Sequence, residues 1–405
     1  MNPWKSAFQN FLCAVVFVPS LFLCSGYAAQ EELGHSFNFK GVNYTAWAAE
    51  EYATPASDAS LSLLKTIGAN WVAILVTEYM DTKSATEIYA DKVLTPSESS
   101  LIHVVQMAHS QGLNVMLKLH VDPKDGTWRG EIFPANIEAW FENYQGRVLH
   151  YIKLAESLGV ELFCLGTELR SLSGKAFRDY WERLISAVRE IFTGPLVYAA
   201  NWDEFQTVSF WDLLDYVGID AYFPLSYTKT PSVEELLLAW VPWVSLLETW
   251  QGEVGKPVIF AEVGYRSVDY AAREPWNWTI EGSYNPQAQA NCYDAVFRAF
   301  WRRPWFAGLF FWNWQTNPAA GGSGDLGYTP QNKPAQEILR KFFGGEENPS
   351  SENLKKVTPC FWGASEEGKK RGEFCPVYER REVVHWEQSF LGKAAQSEFQ
   401  NAKEV

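Results

Sequence analysis

Short apolar runs alternate with longer amphipathic segments along residues 37–343 of this chain. Eight of the runs are rich in β-branched and aromatic residues, which is typical of strands buried on both faces. They span Phe39–Trp47, Trp71–Tyr79, Val115–Val121, Leu162–Leu169, Leu196–Asn201, Tyr216–Phe223, Val258–Tyr265 and Gly308–Trp314. Between several of these runs the apolar positions recur at helical spacing, as they do at Phe177, Trp181, Leu184, Ile185 and Val188. The pattern predicts eight strand–helix units.

Local signals indicate where some of the helices begin and end. Thr95-Pro96-Ser97-Glu98 has the pattern of a capping box, with Pro at the first helical position. Ser232, three residues before Glu235, predicts another helix start ahead of an apolar run. Gly68 and Gly112 stand where two helices should end.

Eight strand–helix units in succession predict parallel strands joined by right-handed crossovers. A closed (β/α)8 barrel takes about 250 residues, so residues 37–343 have the length that this fold needs. An open, doubly wound sheet is the alternative. The nucleotide-binding form of that sheet would carry a Gly-rich fingerprint after the first strand, and none follows here. The predicted fold class is therefore α/β, a (β/α)8 TIM barrel followed by a polar C-terminal extension.

Residues 1–28 have the features of a signal peptide. Lys5 is the only charged residue of this segment, and the apolar run over residues 11–23 is too short to span a bilayer. Cleavage is expected after Ala28, which predicts a secreted or periplasmic protein. A leucine directly before Cys24 is a poor match to a lipoprotein processing site, so lipid anchoring through Cys24 is the less favoured alternative.

Residues 344–405 are predicted to be a linker followed by a C-terminal extension that is partly disordered or docked on the barrel. The segment 344–353 is Gly-Gly-Glu-Glu-Asn-Pro-Ser-Ser-Glu-Asn, which is typical of a linker. Cys360 and Cys375 bracket a short charged loop. In an exported chain the two residues can form a disulfide, and the alternative is a pair of free thiols.

The charge of the chain narrows the choice of partner. It has 34 Lys and Arg against 48 Asp and Glu, a formal net charge of −14. Such a surface repels phosphate backbones and anionic lipid, which disfavours nucleic-acid and membrane partners. The 19 Trp, 18 Tyr and 26 Phe suit a neutral polyol, because the C–H faces of a sugar stack on aromatic rings. The composition therefore favours a polysaccharide or oligosaccharide as the substrate. For the oligomeric state, we expect a monomer.

Two glutamates at strand ends are the candidate catalytic residues. Glu168 closes the fourth run and Glu262 lies in the seventh, and the active site of such a barrel forms at the carboxyl ends of its strands. A period of two places Glu168 on the face of Cys164, and Glu262 on the face of Phe260. If those faces point inward, the two carboxylates converge, as cleavage of a glycosidic bond requires. The alternative is that each glutamate pairs with an arginine at the barrel rim.

Neighbouring strand ends carry groups that can hold a sugar by hydrogen bonds or ring stacking. The candidates for substrate binding are Trp47 at the end of the first strand, Asn201 and Asp203 at the end of the fifth, Asp220 and Tyr222 at the end of the sixth, and Trp312 and Trp314 in the eighth. Trp312 and Trp314 are expected to share one strand face, with Trp314 as the floor of a sugar subsite. For each aromatic residue taken singly, core packing is the alternative.

The sequence disfavours both a catalytic metal site and a phosphate-binding site. His120 and Asp122 place two possible ligands on one face of the third strand, but the chain has six His and none in strands four to eight. Gly321-Gly322-Ser323-Gly324 follows the eighth strand, where some barrels bind phosphate. The acidic charge and the aromatic strand ends disfavour a phosphorylated substrate. We expect no metal and no cofactor, and His120 stays a candidate for substrate binding.

Several motifs, in the same order along the chain, resemble glycoside hydrolase family 113. They are Trp-Arg-Gly-Glu (128–131), Phe-Cys-Leu-Gly-Thr-Glu-Leu (163–169), Ala-Asn-Trp-Asp (200–203), Tyr-Val-Gly-Ile-Asp-Ala-Tyr-Phe-Pro (216–224), Ala-Glu-Val-Gly-Tyr-Arg-Ser (261–267), Glu-Pro-Trp (274–276) and Thr-Pro-Gln-Asn-Lys-Pro (329–334). The resemblance covers roughly residues 37–343. It implies a (β/α)8 retaining enzyme of the large clan of Glu/Glu glycosidases, with endo-β-1,4-mannanase as the characterised activity.

The resemblance also implies the roles of individual residues. Glu168 is the acid/base, Glu262 is the nucleophile, and Trp128 and Arg129 belong to the substrate site. The wider clan usually has Asn directly before the acid/base, where it contacts the sugar 2-hydroxyl, and this chain has Thr167 there.

Three functions are open at this point. The first is a secreted retaining β-glycosidase acting on mannan, or on another neutral β-glycan. The second is a non-catalytic carbohydrate-binding barrel, which the absence of either glutamate would favour. The third is a phosphate-handling barrel, which would need basic residues in the last two loops. Those loops carry Arg266 and Arg273, together with Glu274 and many aromatic residues.

Overall fold

The computed structural model describes residues 38–344. The predicted signal peptide (1–28), the extension beyond Gly344, and the Cys360–Cys375 pair lie outside the described residues. They stay predictions.

Eight parallel strands close into a barrel in chain order, which confirms the (β/α)8 prediction and excludes the open sheet. The strands are β1 (Phe39–Thr45), β2 (Trp71–Met80), β3 (Asn114–Pro123), β4 (Leu162–Thr167), β5 (Leu196–Asn201), β6 (Tyr216–Asp220), β7 (Val258–Val263) and β8 (Phe306–Gln315). Each predicted run coincides with one strand. The barrel closes where β8 pairs with β1.

Helices fill most of the connections between the strands. They are α1 (Pro55–Thr66), α2 (Glu98–Ser110), α3 (Ile137–Leu158), α4 (Arg178–Arg189), α5 (Val233–Val254), α6 (Pro286–Phe300) and α7 (Pro334–Phe343). The connection from β5 to β6 contains a single 3-10 turn, Trp211–Leu213, in place of an α-helix. Within residues 38–344, no helix is both long enough and apolar enough to cross a bilayer.

The structure confirms one predicted helix start and corrects the other. Ser232 caps α5 by accepting a hydrogen bond from the Glu235 amide at 3.1 Å. Helix α2 begins at Glu98 and is capped by Ser97, so the capping box predicted at Thr95 is wrong. The Thr95 hydroxyl is already used, because it donates to the Thr77 carbonyl at 2.7 Å.

Apolar side chains fill the barrel interior near the amino ends of the strands. The rings of Phe39 and Trp71 lie 4.7 Å apart, and Phe310 packs against both. Gly41 is required beside them, since a Cβ at this position would lie 2.4 Å from the Phe310 ring. Toward the carboxyl ends the interior becomes polar. The fold thus provides an apolar base with a polar chamber above it.

A bulge in β7 decides where Glu262 points. Ile219 of β6 pairs with Phe260, whereas the next residue of β6, Asp220, pairs with Glu262, so β7 carries one extra residue here. Phe260 lies in the outer core between strands and helices, while Glu262 reaches the interior. The prediction that Phe260 and Glu262 share a face is wrong, because one inserted residue reverses the alternation.

Candidate active site

A cleft of about 720 Å³ opens at the carboxyl ends of the strands. Both candidate glutamates line it. Of the predicted substrate-binding residues, it also includes Trp47, Trp128, Arg129, Asn201, Asp203, Tyr222 and Trp312. Three predicted residues do not line it: His120, Asp220 and Trp314.

Both oxygens of Glu262 are held by buried donors. The Lys118 ammonium donates to Oε1 at 2.5 Å, and the Tyr222 hydroxyl donates to Oε2 at 2.6 Å. The Glu262 side chain is 6% exposed. Burial, reinforced by the negative charge of Glu262, raises the pKa of Tyr222 well above its usual range, so this hydroxyl keeps its proton. The carboxylate is therefore fixed in place and stabilised as an anion.

Asp220 lies beneath the cleft and binds Lys118 rather than substrate. Its Oδ1 is 3.4 Å from Lys118 Nζ, and both side chains are fully buried. Burial raises the pKa of Asp220 well above its usual range, and the charge of Glu262 adds to the effect. The predicted contact between Asp220 and sugar is wrong, because no face of this side chain reaches the cleft.

Sequence reasoning missed Lys118. Burial alone lowers the pKa of Lys118, but the carboxylates of Asp220 and Glu262 raise it above its usual value, so the ammonium stays charged. One sequence signal could have identified it: a lysine stands in the middle of the apolar run Val115–Val121. A charge within a strand buried on both faces needs a partner, and the interior carboxylates provide it.

Glu168 has different surroundings. It follows β4 directly, with a backbone φ of 51°. Trp128 Nε1 and Arg129 Nη1 both donate to its Oε2, at 3.1 and 3.4 Å. Burial raises the pKa of Glu168 above its usual value, and the charge of Glu262 raises it further, while Arg129 opposes the change. Glu168 thus holds a proton more readily than a glutamate in water does.

A buried glutamate supports the backbone beside Glu168. The Leu169 amide donates to the Tyr198 hydroxyl at 2.7 Å, and that hydroxyl donates to Glu204 Oε1 at 2.7 Å. Glu204 Oε2 accepts a hydrogen bond from the backbone N–H of Asn201 at 2.9 Å. Burial raises the pKa of Glu204 to about 7. This network, which sequence reasoning missed, ties the end of β4 to the end of β5.

Alternate residues of β3 support both glutamates. Lys118 serves Glu262, and Asp122 accepts from Arg129 Nε at 2.8 Å. Between them, His120 stacks on Trp312 at 6.1 Å, and its Nε2 is 3.6 Å from Glu262 Oε1. Burial lowers the pKa of His120 well below its usual value, so the ring is neutral. His120 therefore supports the cleft from behind, which corrects its prediction as a substrate contact.

The two tryptophans of β8 lie on opposite sides of the strand. Trp312 lines the cleft, whereas Trp314 is fully buried and its Nε1 donates to Ser60 Oγ at 2.9 Å. Between the positions that pair with Val42 and Tyr44, β8 carries one extra residue, which reverses the alternation. The expectation that the two residues share a face, with Trp314 as the floor of a subsite, is wrong.

Aromatic side chains from the loops form the upper walls of the cleft. Trp202 and Trp276 stack with ring centroids 5.1 Å apart. Trp47 is 51% exposed and Trp278 is 73% exposed, so both present ring faces to solvent. Besides Trp202, Trp276 and Trp278, the cleft residues absent from the sequence-based prediction are Arg170, Asn277 and Tyr328. The signal for three of them was the stretch Trp-Asn-Trp (276–278), which begins with the last residue of the Glu-Pro-Trp motif.

The hydroxyl of Thr167 is committed within the barrel. It is buried and donates to the Leu119 carbonyl of β3 at 3.0 Å. Thr167 therefore contributes to strand packing at the position where the wider clan usually has Asn. Two amide side chains line the cleft together with Glu168: Asn277, and Asn201, whose Nδ2 donates to Asp203 Oδ1 at 2.8 Å.

Taken together, the cleft holds two carboxyl groups with opposite tendencies. Glu262 accepts a hydrogen bond on each of its oxygens, while burial shifts the pKa of Glu168 upward, toward its protonated form. Within residues 38–344, no group of three or more His, Cys, Asp or Glu side chains is arranged to hold a metal ion. Two carboxyl groups in such different surroundings within one open cleft can supply a nucleophile and an acid.

A family model for Glycoside Hydrolase Family 113 matches residues 42–333. The chain belongs to this family. It is therefore a glycoside hydrolase, its substrate is a carbohydrate, and the non-catalytic and phosphate-handling alternatives are set aside.

Solved structures with the same fold include family 113 members. A GH113 β-1,4-mannanase, solved as a complex, is 27% identical, with a TM-score of 0.70 over 76% of this chain and 99% of that one. The GH113 β-mannanase AaManA from Alicyclobacillus acidocaldarius, in complex with ManMIm, is 28% identical, with a TM-score of 0.69 over 76% and 97%. The β-glucuronidase of Faecalibacterium prausnitzii, 16% identical, shares the fold alone, with a TM-score of 0.51 over 76% and 49%. A comparison with curated proteins finds no match.

Proposed function

We propose that this glycoside hydrolase cleaves β-1,4-linked mannan-type chains with retention of anomeric configuration, with Glu262 as nucleophile and Glu168 as acid/base. The observation that carries the proposal is the contrast between the two carboxyl groups. Glu262 is bound by an ammonium and a phenol, and Glu168 is shifted by burial toward its protonated form. A retaining glycosidase needs one carboxyl group of each kind.

The reaction proceeds in two displacements. In the first, a Glu262 oxygen attacks the anomeric carbon, the bond to the leaving oxygen breaks, and Glu168 gives that oxygen its proton. Glu262 becomes a neutral ester and Glu168 becomes an anion beside Arg129. In the second, Glu168 takes a proton from water, whose oxygen attacks the anomeric carbon and displaces the Glu262 carboxylate. Both glutamates return to their starting states.

Two observations support a neutral mannan-type substrate. The two family 113 structures described above are β-mannanases. In addition, the basic residues that line the cleft are already paired: Arg129 Nη2 is 2.7 Å from Asp122, and Arg170 Nη1 is 2.9 Å from Asp203. A uronic-acid polymer would need cations free to meet its carboxylates, so this pairing favours an uncharged chain.

A product profile tests the substrate class directly. Purified protein is incubated with mannan, glucomannan, xylan and cellulose oligosaccharides, and the products are separated by chromatography. We expect cleavage of the mannan-type chains and no release from xylan or cellulose oligosaccharides. Cleavage confined to another neutral β-glycan would replace mannan with that polymer. Absence of cleavage on every member of the panel would contradict the proposal.

We also infer that the protein acts outside the cytoplasm. The support is the sequence of residues 1–28, with one charge ahead of an apolar core of signal-peptide length. The mass of the mature protein recovered from an exporting host should correspond to a chain that begins at Ala29. Recovery of the full-length chain from the cytoplasmic fraction alone would contradict export.

A further inference from the structure

Lys118 crosses the interior of the barrel to reach its partners. It stands on β3, while Glu262 stands on β7, four strands away in a closed ring of eight and so on the opposite wall. Its side chain is fully buried, with Nζ 2.5 Å from Glu262 Oε1 and 3.4 Å from Asp220 Oδ1. The long, flexible side chain of lysine, with its charge at the tip, spans this distance from β3.

The charged groups around Glu262 leave Lys118 as its principal cation. The titratable and charged groups that face Glu262 are Lys118 and His120 from β3, Arg129 from the loop after β3, Glu168 after β4, Asp220 and Tyr222 at the end of β6, and Tyr328 after β8. His120 is neutral, and Arg129 is bound by Asp122 and Glu168. Lys118 is thus the cation in hydrogen-bond contact with Glu262.

Asp220 and Glu262 stand side by side because of the β7 bulge. The bulge makes Glu262 the partner of Asp220 in the β6–β7 pairing, so the two carboxyl groups share one ammonium. The contact with Asp220 helps to hold the Lys118 ammonium beside Glu262. The arrangement orients the ammonium before any substrate arrives.

We propose that Lys118 is a positioning residue for the nucleophile: anchored by Asp220, its ammonium fixes Oε1 of Glu262 and keeps that carboxylate ionised for attack. The inference rests on the proposed role of Glu262 and adds a residue to it. A merely structural Lys118 would hold the strands together, and its loss would lower stability and reduce the rate equally at every pH. A positioning Lys118 also sets the pH at which Glu262 becomes reactive.

The test follows inactivation by a 2-deoxy-2-fluoro-β-mannosyl fluoride extended by one β-1,4-linked mannose. Fluoride leaves with little need of protonation, so the inactivation rate follows Glu262 alone as pH changes. In Lys118→Met, loss of a cation in contact should move the acid limb of this profile up by about 1 to 3 pH units. The maximal rate should fall about 10²- to 10³-fold, as when one preorganised donor is removed. An unmoved acid limb in a folded variant would overturn the proposal.

Lys333→Met is the matched control for removal of a buried lysine. Lys333 Nζ is likewise buried and paired with a carboxylate, Asp325 Oδ1 at 2.6 Å, but it has no contact with Glu262. Its loss should lower thermal stability and leave the acid limb in place. A shift equal to that of Lys118→Met would assign the effect to general loosening of the barrel and overturn the proposal.

A double variant covers the case in which Lys118→Met fails to fold. Lys118→Met combined with Asp220→Asn leaves no unpaired carboxylate at position 220, while Glu262 still lacks its ammonium. An upward shift of the acid limb is still expected, smaller than in the single variant because the repulsion between Asp220 and Glu262 is also removed. An unmoved limb would overturn the proposal. Peptide mass spectrometry of the inactivated wild-type protein tests the role of Glu262 separately from the role of Lys118. A label on Glu262 upholds the proposed function whatever the Lys118 result, whereas absence of any label contradicts the function itself.

Discussion

The surroundings of Glu262 and Glu168 differ in depth and in the placement of donors. Glu262 accepts from Lys118 on one oxygen and from Tyr222 on the other, at the top of a fully buried ion-pair cluster. Glu168 receives both of its donors, Trp128 and Arg129, on the same oxygen, Oε2. The comparison shows how one residue type serves two roles: donors on both oxygens stabilise the anion, while burial with a single bonded oxygen favours the acid.

The largest expected effect is that of Glu262→Ala. Without the nucleophile no glycosyl-enzyme forms, so turnover should be lost on every substrate, including aryl glycosides with activated leaving groups. Initial rates on mannan oligosaccharides and on a dinitrophenyl β-mannoside would measure it. Turnover of the aryl glycoside at near wild-type rate would contradict the role of Glu262 as the nucleophile.

Glu168→Ala should separate substrates by their leaving groups. Natural oligosaccharides need protonation and should be cleaved very slowly, whereas activated aryl glycosides need little and should still form the intermediate. External azide should then speed release of the sugar, because it replaces the water that Glu168 would have activated. Equal losses on both kinds of substrate, with no response to azide, would contradict the acid/base role.

The two tryptophans of β8 offer a matched pair, because Trp312 lines the cleft whereas Trp314 is buried in the core. Trp312→Ala should weaken oligosaccharide binding by about 1 to 3 kcal/mol, as loss of a stacking ring does elsewhere. Trp314→Ala should instead lower the free energy of unfolding by about 3 to 5 kcal/mol, as deletion of a buried aromatic does. Titration calorimetry and urea unfolding measure the two quantities. A binding loss confined to Trp314→Ala would reverse the assignment.

Arg129→Met tests the surroundings of Glu168 through pH. Ionised Glu262 and protonated Glu168 together give a bell-shaped pH–rate profile, in which Glu168 sets the alkaline limb. Arg129 lowers the pKa of Glu168 against the effect of burial. Its removal should therefore move the alkaline limb to higher pH, and a move to lower pH would contradict the account. In Arg170→Met, where the lost partner is Asp203, that limb should stay in place.

The smallest expected effect belongs to Glu204→Gln. Burial raises the pKa of Glu204 from 4.5 to about 7, so the folded state favours its proton. The stability that this contributes is fully present below about pH 4.5 and is lost as pH rises through about 7. Urea unfolding at several pH values should show a decline over this window in the wild type that is smaller in the variant. Parallel curves would place the proton elsewhere in the network.

The sequence predicted the strands better than the faces that the strands present. Apolar runs located all eight strands, and glutamates at two strand ends identified the centre of the cleft. Both signals are local patterns in the sequence, which can be read without knowing how the strands pair. Two assignments of strand faces were wrong: Trp314 on the face of Trp312, and Phe260 on the face of Glu262. In both cases the strand, β8 or β7, contains a bulge that no local signal in the sequence marks. Lys118 depends on partners 102 and 144 residues away, so its role emerges only when the barrel closes.

The stereochemistry of the first product tests the central claim most directly. Proton NMR of a mannan-oligosaccharide digest, recorded before mutarotation, distinguishes the anomers at the newly formed reducing end. Two displacements through Glu262 predict that the β-anomer appears first and that the α-anomer grows in later as the sugar equilibrates. First appearance of the α-anomer would mean a single displacement by water, and would contradict the nucleophilic role of Glu262.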